Sequence, residues 1–150
     1  MILDFDINTG NLPPGIHCAA WEEIESRFGG TPHRRKLLEG LKTVLLALQA
    51  AGCQSVYIDG SFVTEKEYPG DFDGCWEAAG VDVGKLKNLA PALFDFSNRR
   101  KAQKDVYGGE IFLAHTPADP FGTRFVEFFQ RDKHTGEPKG IIVIHLKDAI

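Results

Sequence analysis

The most constraining feature of this sequence is a long amphipathic segment followed directly by a short apolar one. Apolar side chains recur on one face of a helix at Leu37, Leu38, Leu41, Val44, Leu45 and Leu48. Thr31 and Pro32 have the residue types of a helix N-cap and first position, and Gly52 is typical of the residue that ends a helix. Residues 55–58 then predict a strand that ends before Gly60. The chain must therefore pack a helix against a sheet.

The remaining elements are predicted from shorter patterns. Strands are expected at residues 71–76, 110–114 and 141–144, and helices at residues 19–28 and 125–129. Residues 83–104 are mostly helical in pattern, although Pro91 must start or kink a helix there. Residues 1–18 predict an extended arm that ends in a turn. We therefore expect an α/β (α+β) fold in a single domain, residues 1–150, with helices packed on a small mixed β-sheet.

Composition limits the classes of function. The chain has 150 residues, 43% hydrophobic and 25% charged, which suits one globular domain. Its net charge of -4 argues against a generic nucleic-acid binder but leaves room for a small basic patch. No apolar run approaches the roughly 18 residues of a membrane span. The first residues lack a secretory signal, and the three cysteines have no C-x-x-C spacing, so we expect a cytoplasmic protein with no membrane partner.

Two carboxylates two positions apart carry the clearest chemistry. Asp71 and Asp73 lie on a predicted strand, so their side chains point to the same face. Adjacent carboxylates repel each other unless a cation lies between them. Mg²⁺ prefers oxygen ligands and is often shared between carboxylates and substrate phosphates. An Asp-x-Asp pair alone is common in surface turns, but a preceding strand that ends in Gly-Ser makes a nucleotide site the more specific interpretation.

Groups that bind phosphate surround this pair in the sequence. Gly60 has no Cβ and allows close approach of its backbone, and Ser61 adds a hydroxyl at a strand end. Lys66 lies in the loop between Ser61 and the carboxylate pair. Arg34 and Arg35 lie in the first turn of the long helix, whose start should lie beside the end of the first strand, where ligands of α/β sheets bind. They are therefore either triphosphate ligands or part of a solvated face.

A second basic cluster lies at residues 99–101 and Lys104. It is either an exposed helix surface or a site for an acidic partner or a nucleic-acid strand. The aromatic segment at residues 121–129 indicates a face that meets a partner chain.

The spacing of these motifs resembles a known superfamily. Gly60-Ser61, nine further residues and then Asp71-Phe72-Asp73 resemble the signature of the polymerase-β-like nucleotidyltransferases, and the small size resembles their minimal members, some of which are antitoxins. Other segments resemble a family of short uncharacterised bacterial proteins: residues 14–17, 52–53, 59–64, 109–110 and 128–130. The first resemblance implies a nucleotidyltransferase-like fold, with Gly60 and Ser61 on the triphosphate.

The same resemblance implies a catalytic metal site. Asp71 and Asp73 would bind Mg²⁺, together with a third acidic residue on a neighbouring strand. Glu110 is the candidate for this third ligand, with Asp95 and Asp82 as alternatives. The expected activity is Mg²⁺-dependent transfer of a nucleoside monophosphate from an NTP to a hydroxyl on a protein or nucleic-acid acceptor. The alternative is a non-catalytic protein of the same fold that binds a partner such as a toxin.

Overall fold

The protein is described here by a computed structural model, which covers residues 2–149 and the side chains of residues 2–147. Its centre is a mixed five-stranded sheet with the order β1-β5-β2-β3-β4. The strands are β1 (Gly15–Cys18), β2 (Ser55–Asp59), β3 (Phe72–Trp76), β4 (Gly109–Leu113) and β5 (Gly140–His145). The two outer pairs, β1 with β5 and β3 with β4, are parallel, and β2 is antiparallel to both of its neighbours. This sheet with its helices confirms the predicted α/β class.

Within residues 2–149, six helices and two short 3₁₀ turns surround the sheet. The helices are α1 (Trp21–Phe28), α2 (Pro32–Ala50), α3 (Val83–Leu89), α4 (Ser97–Tyr107), α5 (Phe125–Phe128) and α6 (Leu146–Ala149). The 3₁₀ turns are Ser61–Val63 and Pro91–Phe94. Pro91 starts the second turn, as the sequence predicted, so the helical stretch 83–104 is divided into separate pieces. None of the helices within residues 2–149 has the length and apolar character that a membrane crossing requires.

The long helix α2 packs on one face of the sheet and contributes to the main apolar core. Its N-cap Thr31 accepts a hydrogen bond from the backbone N–H of Arg34 at 3.1 Å, and its apolar face is fully buried against the sheet. Gly52 follows the helix with a φ of 96°, a conformation that favours glycine. The bounds predicted from periodicity are therefore confirmed.

The opposite face of the sheet carries a smaller apolar cluster. It consists of Cys75, Ala114, Val126, Phe129 and Ile141, with Phe112 and Phe125 packed against it. Because alternate residues of a strand share a face, Asp73 lies on the same side of β3 as Cys75. This face of the sheet therefore carries an apolar cluster around Cys75 and, next to it, charged groups that begin at Asp73.

The extended arm predicted for residues 1–18 is partly a sheet element. Residues 15–18 form β1, which pairs in parallel with β5 and makes one edge of the sheet. Leu12, ahead of this strand, is buried in the main core. A side chain at Gly140 would collide with the backbone of Pro13, so this glycine lets the arm approach β5. The strand was missed because it is only four residues long and His17 is its one buried side chain.

Candidate functional site

Three carboxylates meet at the N-terminal ends of two parallel strands, β3 and β4. Oxygen atoms of Asp71, Asp73 and Glu110 all lie within 4.8 Å of one another, and we call these residues the carboxylate triad. Asp73 and Glu110 are register partners in β3 and β4, so their side chains project side by side. Asp71 immediately precedes β3. The structure thus brings together the three residues that the sequence analysis named as the metal site.

The other two acidic candidates lie elsewhere and have local roles. Asp82 is the N-cap of α3 and accepts a hydrogen bond from the backbone N–H of Lys85 at 3.0 Å. Asp95 accepts hydrogen bonds from the backbone N–H and the hydroxyl of Ser97. Of the three candidates, Glu110 is therefore the one that lies with Asp71 and Asp73.

Glycine next to Glu110 allows β4 to approach β3 closely. A Cβ at Gly109 would collide with the backbone oxygen and the ring of Phe72. The preceding Gly108 ends α4 with a φ of 86°, in the left-handed region. Both glycines are needed to bring the chain from α4 into a strand that places Glu110 opposite Asp73.

A fourth carboxylate, Asp59, was missed by the sequence analysis. It is the last residue of β2 and the antiparallel register partner of Asp73, so it lies on the same face of the sheet. Asp59 is only 4% exposed, and Lys139 Nζ lies 2.5 Å from Asp59 Oδ1. Alternation along β2 could have indicated that Asp59 faces Asp73. No signal in the sequence pointed to Lys139.

The site holds more negative than positive charge at close range. Burial first, and then the neighbouring carboxylates, raise the pKa of Asp73 to about 7. Burial and the charge of Glu110 raise the pKa of Asp71. Burial also raises the pKa of Asp59, although Lys139 opposes this shift. The ionised cluster is thus electrostatically unfavourable by itself and would be stabilised by a cation.

Lysines form an outer layer around this cluster. Lys104 Nζ lies 3.1 Å from Glu110 Oε1, and the side chain of Lys104 is 40% exposed. Lys133 and the predicted phosphate ligand Lys66 also act to lower the pKa of Asp71, together with Lys104. Lys66 is exposed and close enough for its charge to act on the triad.

Gly60 lies directly against the carboxylate triad. Its φ of 93° is in the left-handed region, and a Cβ there would lie 3.1 Å from the backbone nitrogen of Asp73 and 3.2 Å from its Oδ2. Ser61 follows and begins the 3₁₀ turn Ser61–Val63. The predicted Gly-Ser element and the predicted carboxylates are therefore neighbours in space.

Arg34 has a structural role that neither alternative of the sequence analysis included. The residue is 6% exposed, and its guanidinium donates to backbone oxygens of Phe28, Phe62, Thr64 and Lys66 at 2.5–3.4 Å. The prediction that the start of α2 lies beside the end of β2 is confirmed, since these bonds join them. The donors of Arg34, however, are occupied by the loop that follows β2, so this side chain does not face a ligand.

Arg35 is turned toward α1 rather than toward the triad. Its Nη1 donates to the backbone oxygen of Gly29 at 3.2 Å, and the side chain lines an open cavity with Trp21 and Glu25. The geometry therefore offers no support for Arg35 as a triphosphate ligand.

Comparison with known proteins gives a family without an activity. The model of a family of unknown function (DUF6932) matches residues 3–145. Comparisons with curated proteins and with solved structures found no match.

Proposed function

The chain belongs to DUF6932, a family of unknown function, and we propose from its site that it is a Mg²⁺-dependent nucleotidyltransferase. It would move a nucleoside monophosphate from an NTP to a hydroxyl on a protein or nucleic-acid acceptor. One observation carries this proposal: the oxygens of the carboxylate triad lie within 4.8 Å of one another, beside the left-handed Gly60 that opens a Gly-Ser turn. A cytoplasmic location accompanies the proposal, because NTPs and Mg²⁺ are available there.

The triad fits a divalent cation with oxygen ligands. Mg²⁺ binds oxygen at about 2.0–2.1 Å, so two ligands of one ion lie at most about 4.2 Å apart. Carboxylate oxygens within 4.8 Å of one another reach that separation by small side-chain rotations. They would also suit two ions about 3.5–4 Å apart. Asp71, Asp73 and Glu110 would hold the ion, which when bound would supply positive charge against the triphosphate.

The chain's own groups account for the other requirements of the reaction. Gly60 lets a phosphate approach the backbone, and Ser61 adds its amide and hydroxyl. Exposed Lys66 would contact outer phosphate oxygens. The acceptor oxygen forms a bond to the α-phosphorus as the bond to the pyrophosphate oxygen breaks. Glu110, whose side chain is 21% exposed, would orient the acceptor hydroxyl and accept its proton.

Two observations favour the alternative, a non-catalytic protein that binds a partner such as a toxin. Lys104 and Lys139 already pair with Glu110 and Asp59, and so partly replace a cation at the cluster. The aromatic segment predicted to meet a partner also exposes Phe121 and Phe128. Both functions predict nucleotide-independent folding, but only the enzyme requires all three carboxylates of the triad.

Calorimetry of NTP binding tests the site. Wild-type protein should bind an NTP only with Mg²⁺, and the Asp71→Asn/Asp73→Asn variant should lose this binding. Glu22→Gln, which removes an exposed carboxylate of α1 outside the triad, is the matched control and should bind normally. Unchanged Mg²⁺-dependent binding in a folded double variant would rule the site out.

Label transfer separates the enzyme from the binding protein. The protein is incubated with radiolabelled NTPs, Mg²⁺ and cell extract, and transfer to an acceptor should be lost in Glu110→Gln. The absence of transfer with every NTP, together with capture of a partner by both wild type and Asp71→Asn, would support the alternative.

A further inference from the structure

A series of stacked groups begins two residues away from Glu110. Phe112 lies on the same face of β4 as Glu110, because alternate strand residues share a face. The guanidinium carbon of Arg100 lies 4.3 Å from the centroid of the Phe112 ring and 4.5 Å from that of Phe96. On the sheet side, Phe112 stacks on Phe125 with centroids 4.2 Å apart and planes 16° apart. The series therefore runs from the apolar cluster outward and ends at Phe96.

The outer end of this series is open to solvent. Phe96 is 59% exposed, although its ring is one of the larger apolar groups of the chain. Arg100 is partly buried, so it fills the space between the two rings. The Arg100 guanidinium therefore supports the Phe96 ring, and the Phe112 ring in turn supports Arg100.

The backbone that carries Arg100 is strained. Asn98, Arg99 and Arg100 have φ angles of 50°, 54° and 60°, and they are the non-glycine residues with positive φ within residues 2–149. A left-handed conformation is unfavourable for each such residue. Strain of this kind persists where the surroundings impose it, and it is concentrated at functional sites. Here it accompanies the position of Arg100 between Phe96 and Phe112.

Positive charge is concentrated around the stack. Arg99 and Lys101 are exposed next to Arg100, and Lys101 also pairs with Asp105 at the surface, its Nζ 2.5 Å from Oδ2. Lys104 pairs with Glu110 one helical turn farther on. This is the second basic cluster of the sequence, in a chain whose net charge is -4. A planar ring beside several cations is the combination that binds nucleotides, since the base stacks and the phosphates meet the cations. An acidic peptide would use the cations but not the ring.

We propose that Phe96, Arg100 and Phe112 form a nucleobase-stacking subsite beside the carboxylate triad. The base stacks on the exposed face of Phe96, which Arg100 and Phe112 hold in place. The phosphates of an NTP extend from there toward the triad, and those of a nucleic-acid strand lie toward Arg99 and Lys101. The inference rests on the proposed function in taking the base as part of a substrate of that site. Two substrates offer this chemistry: the NTP itself, and a single-stranded nucleic-acid acceptor.

The variants Phe96→Ala and Arg100→Ala remove the stack, and Arg100→Lys keeps the charge while losing the planar guanidinium. Arg27→Ala is the matched control, because the Arg27 guanidinium carbon lies 4.4 Å from the centroid of the Phe5 ring, next to α1 and outside the proposed subsite. Thermal melts check that each variant is folded. Three probes are titrated: ATP with Mg²⁺, inorganic tripolyphosphate with Mg²⁺, and a short labelled single-stranded oligoribonucleotide without NTP.

Loss of base stacking should weaken binding roughly tenfold or more. If Phe96→Ala and Arg100→Ala weaken ATP but not tripolyphosphate, the base belongs to the NTP. If they weaken the oligoribonucleotide but not an abasic strand of equal length, the base belongs to the acceptor. In either case Arg100→Lys should lose much of the affinity and Arg27→Ala none.

The proposal is overturned if wild type and both alanine variants bind ATP and the oligoribonucleotide equally, or if wild type binds neither. Failure of the proposed function is a separate result, namely Mg²⁺-dependent ATP binding that is unchanged in Asp71→Asn/Asp73→Asn. If oligoribonucleotide binding still depends on Phe96 in that case, the subsite proposal stands and the nucleotidyltransferase proposal fails.

Discussion

At the scale of single residues, Asp73 has the least favourable surroundings in the site. Its strand neighbours on both sides, Asp59 in β2 and Glu110 in β4, are carboxylates, and Asp71 precedes it in the chain. Gly60 leaves room beside it where any side chain would crowd its backbone nitrogen and Oδ2. These contacts cost stability in the protein without metal, and a site that is unfavourable until a cation binds is common where binding is the function.

The first prediction follows from the raised pKa of Asp73, which is about 7. Because this pKa lies above the value of an unfolded aspartate, ionised Asp73 destabilises the metal-free fold, and the penalty grows from about pH 4 to about pH 7. We expect Asp73→Asn to be more stable than wild type by roughly 2–4 kcal/mol near pH 8 and by little near pH 4. Urea unfolding with chelator measures the difference at each pH.

The matched control is Asp95→Asn, which lies outside the triad and should show no such rise with pH. Wild type that is as stable as Asp73→Asn at every pH would show that Asp73 carries no electrostatic penalty. Added Mg²⁺ should stabilise wild type more than Asp73→Asn, because only wild type keeps the full set of ligands.

At the scale of elements, the start of α2 and the loop after β2 form one unit. Arg34, in the first turn of α2, spans both through bonds to backbone oxygens on either side. The same loop begins with Gly60 and Ser61, so Arg34 supports the proposed phosphate element from behind. Positive charge in the first turn of a helix opposes the helix dipole. The bonds to the loop explain why Arg34 is nevertheless placed there.

The second prediction compares Arg34 with its neighbour Arg35. Arg34→Ala leaves several buried carbonyls without a charged donor and should lower the free energy of unfolding by roughly 2–4 kcal/mol. Arg35→Ala removes one exposed bond and should change it by less than about 0.5 kcal/mol. Chemical denaturation of both variants measures these values. Equal stabilities would contradict the structural role, and a loss of NTP affinity at normal stability would restore the role first predicted for Arg34.

At the scale of the whole molecule, the site joins segments that lie far apart in the chain. Asp59 ends β2, and Lys139, eighty positions later, precedes β5. Their side chains are 6% and 14% exposed, so the pair is largely removed from water. Breaking such a pair from one side leaves a buried charge without compensation. The contact therefore links the assembly of the sheet to the charge balance of the site.

The third prediction concerns this pair. Lys139→Met should destabilise the fold by roughly 3–5 kcal/mol at neutral pH, because the buried Asp59 must then carry an unpaired charge or take up a proton. The double variant Lys139→Met/Asp59→Asn should recover most of that loss, since no unpaired charge remains. Thermal and urea unfolding of the two single variants and the double variant complete a cycle. Additive effects of the two substitutions would show that the pair does not interact.

Sequence alone determined the elements whose residues repeat locally. Periodicity and end signals placed α2, and short apolar runs placed β2 to β5 to within a few residues, because burial of one face leaves a pattern in neighbouring positions. The same reasoning put Asp71 and Asp73 on one face. The nucleotidyltransferase resemblance pointed to Glu110, which the structure brings to that pair; the likeness itself stays a prediction.

Contacts between residues far apart in the chain became known only from the folded structure. The parallel edge strand β1, the pairing of Asp59 with Lys139, and the carbonyls that Arg34 contacts all join segments far apart in the chain. The stack of Phe96, Arg100 and Phe112 depends on a left-handed turn in which only Asn98 has a residue type that favours this conformation. Such contacts follow from the packing of the sheet and its helices, and packing between distant segments leaves no period in the sequence from which it could be predicted.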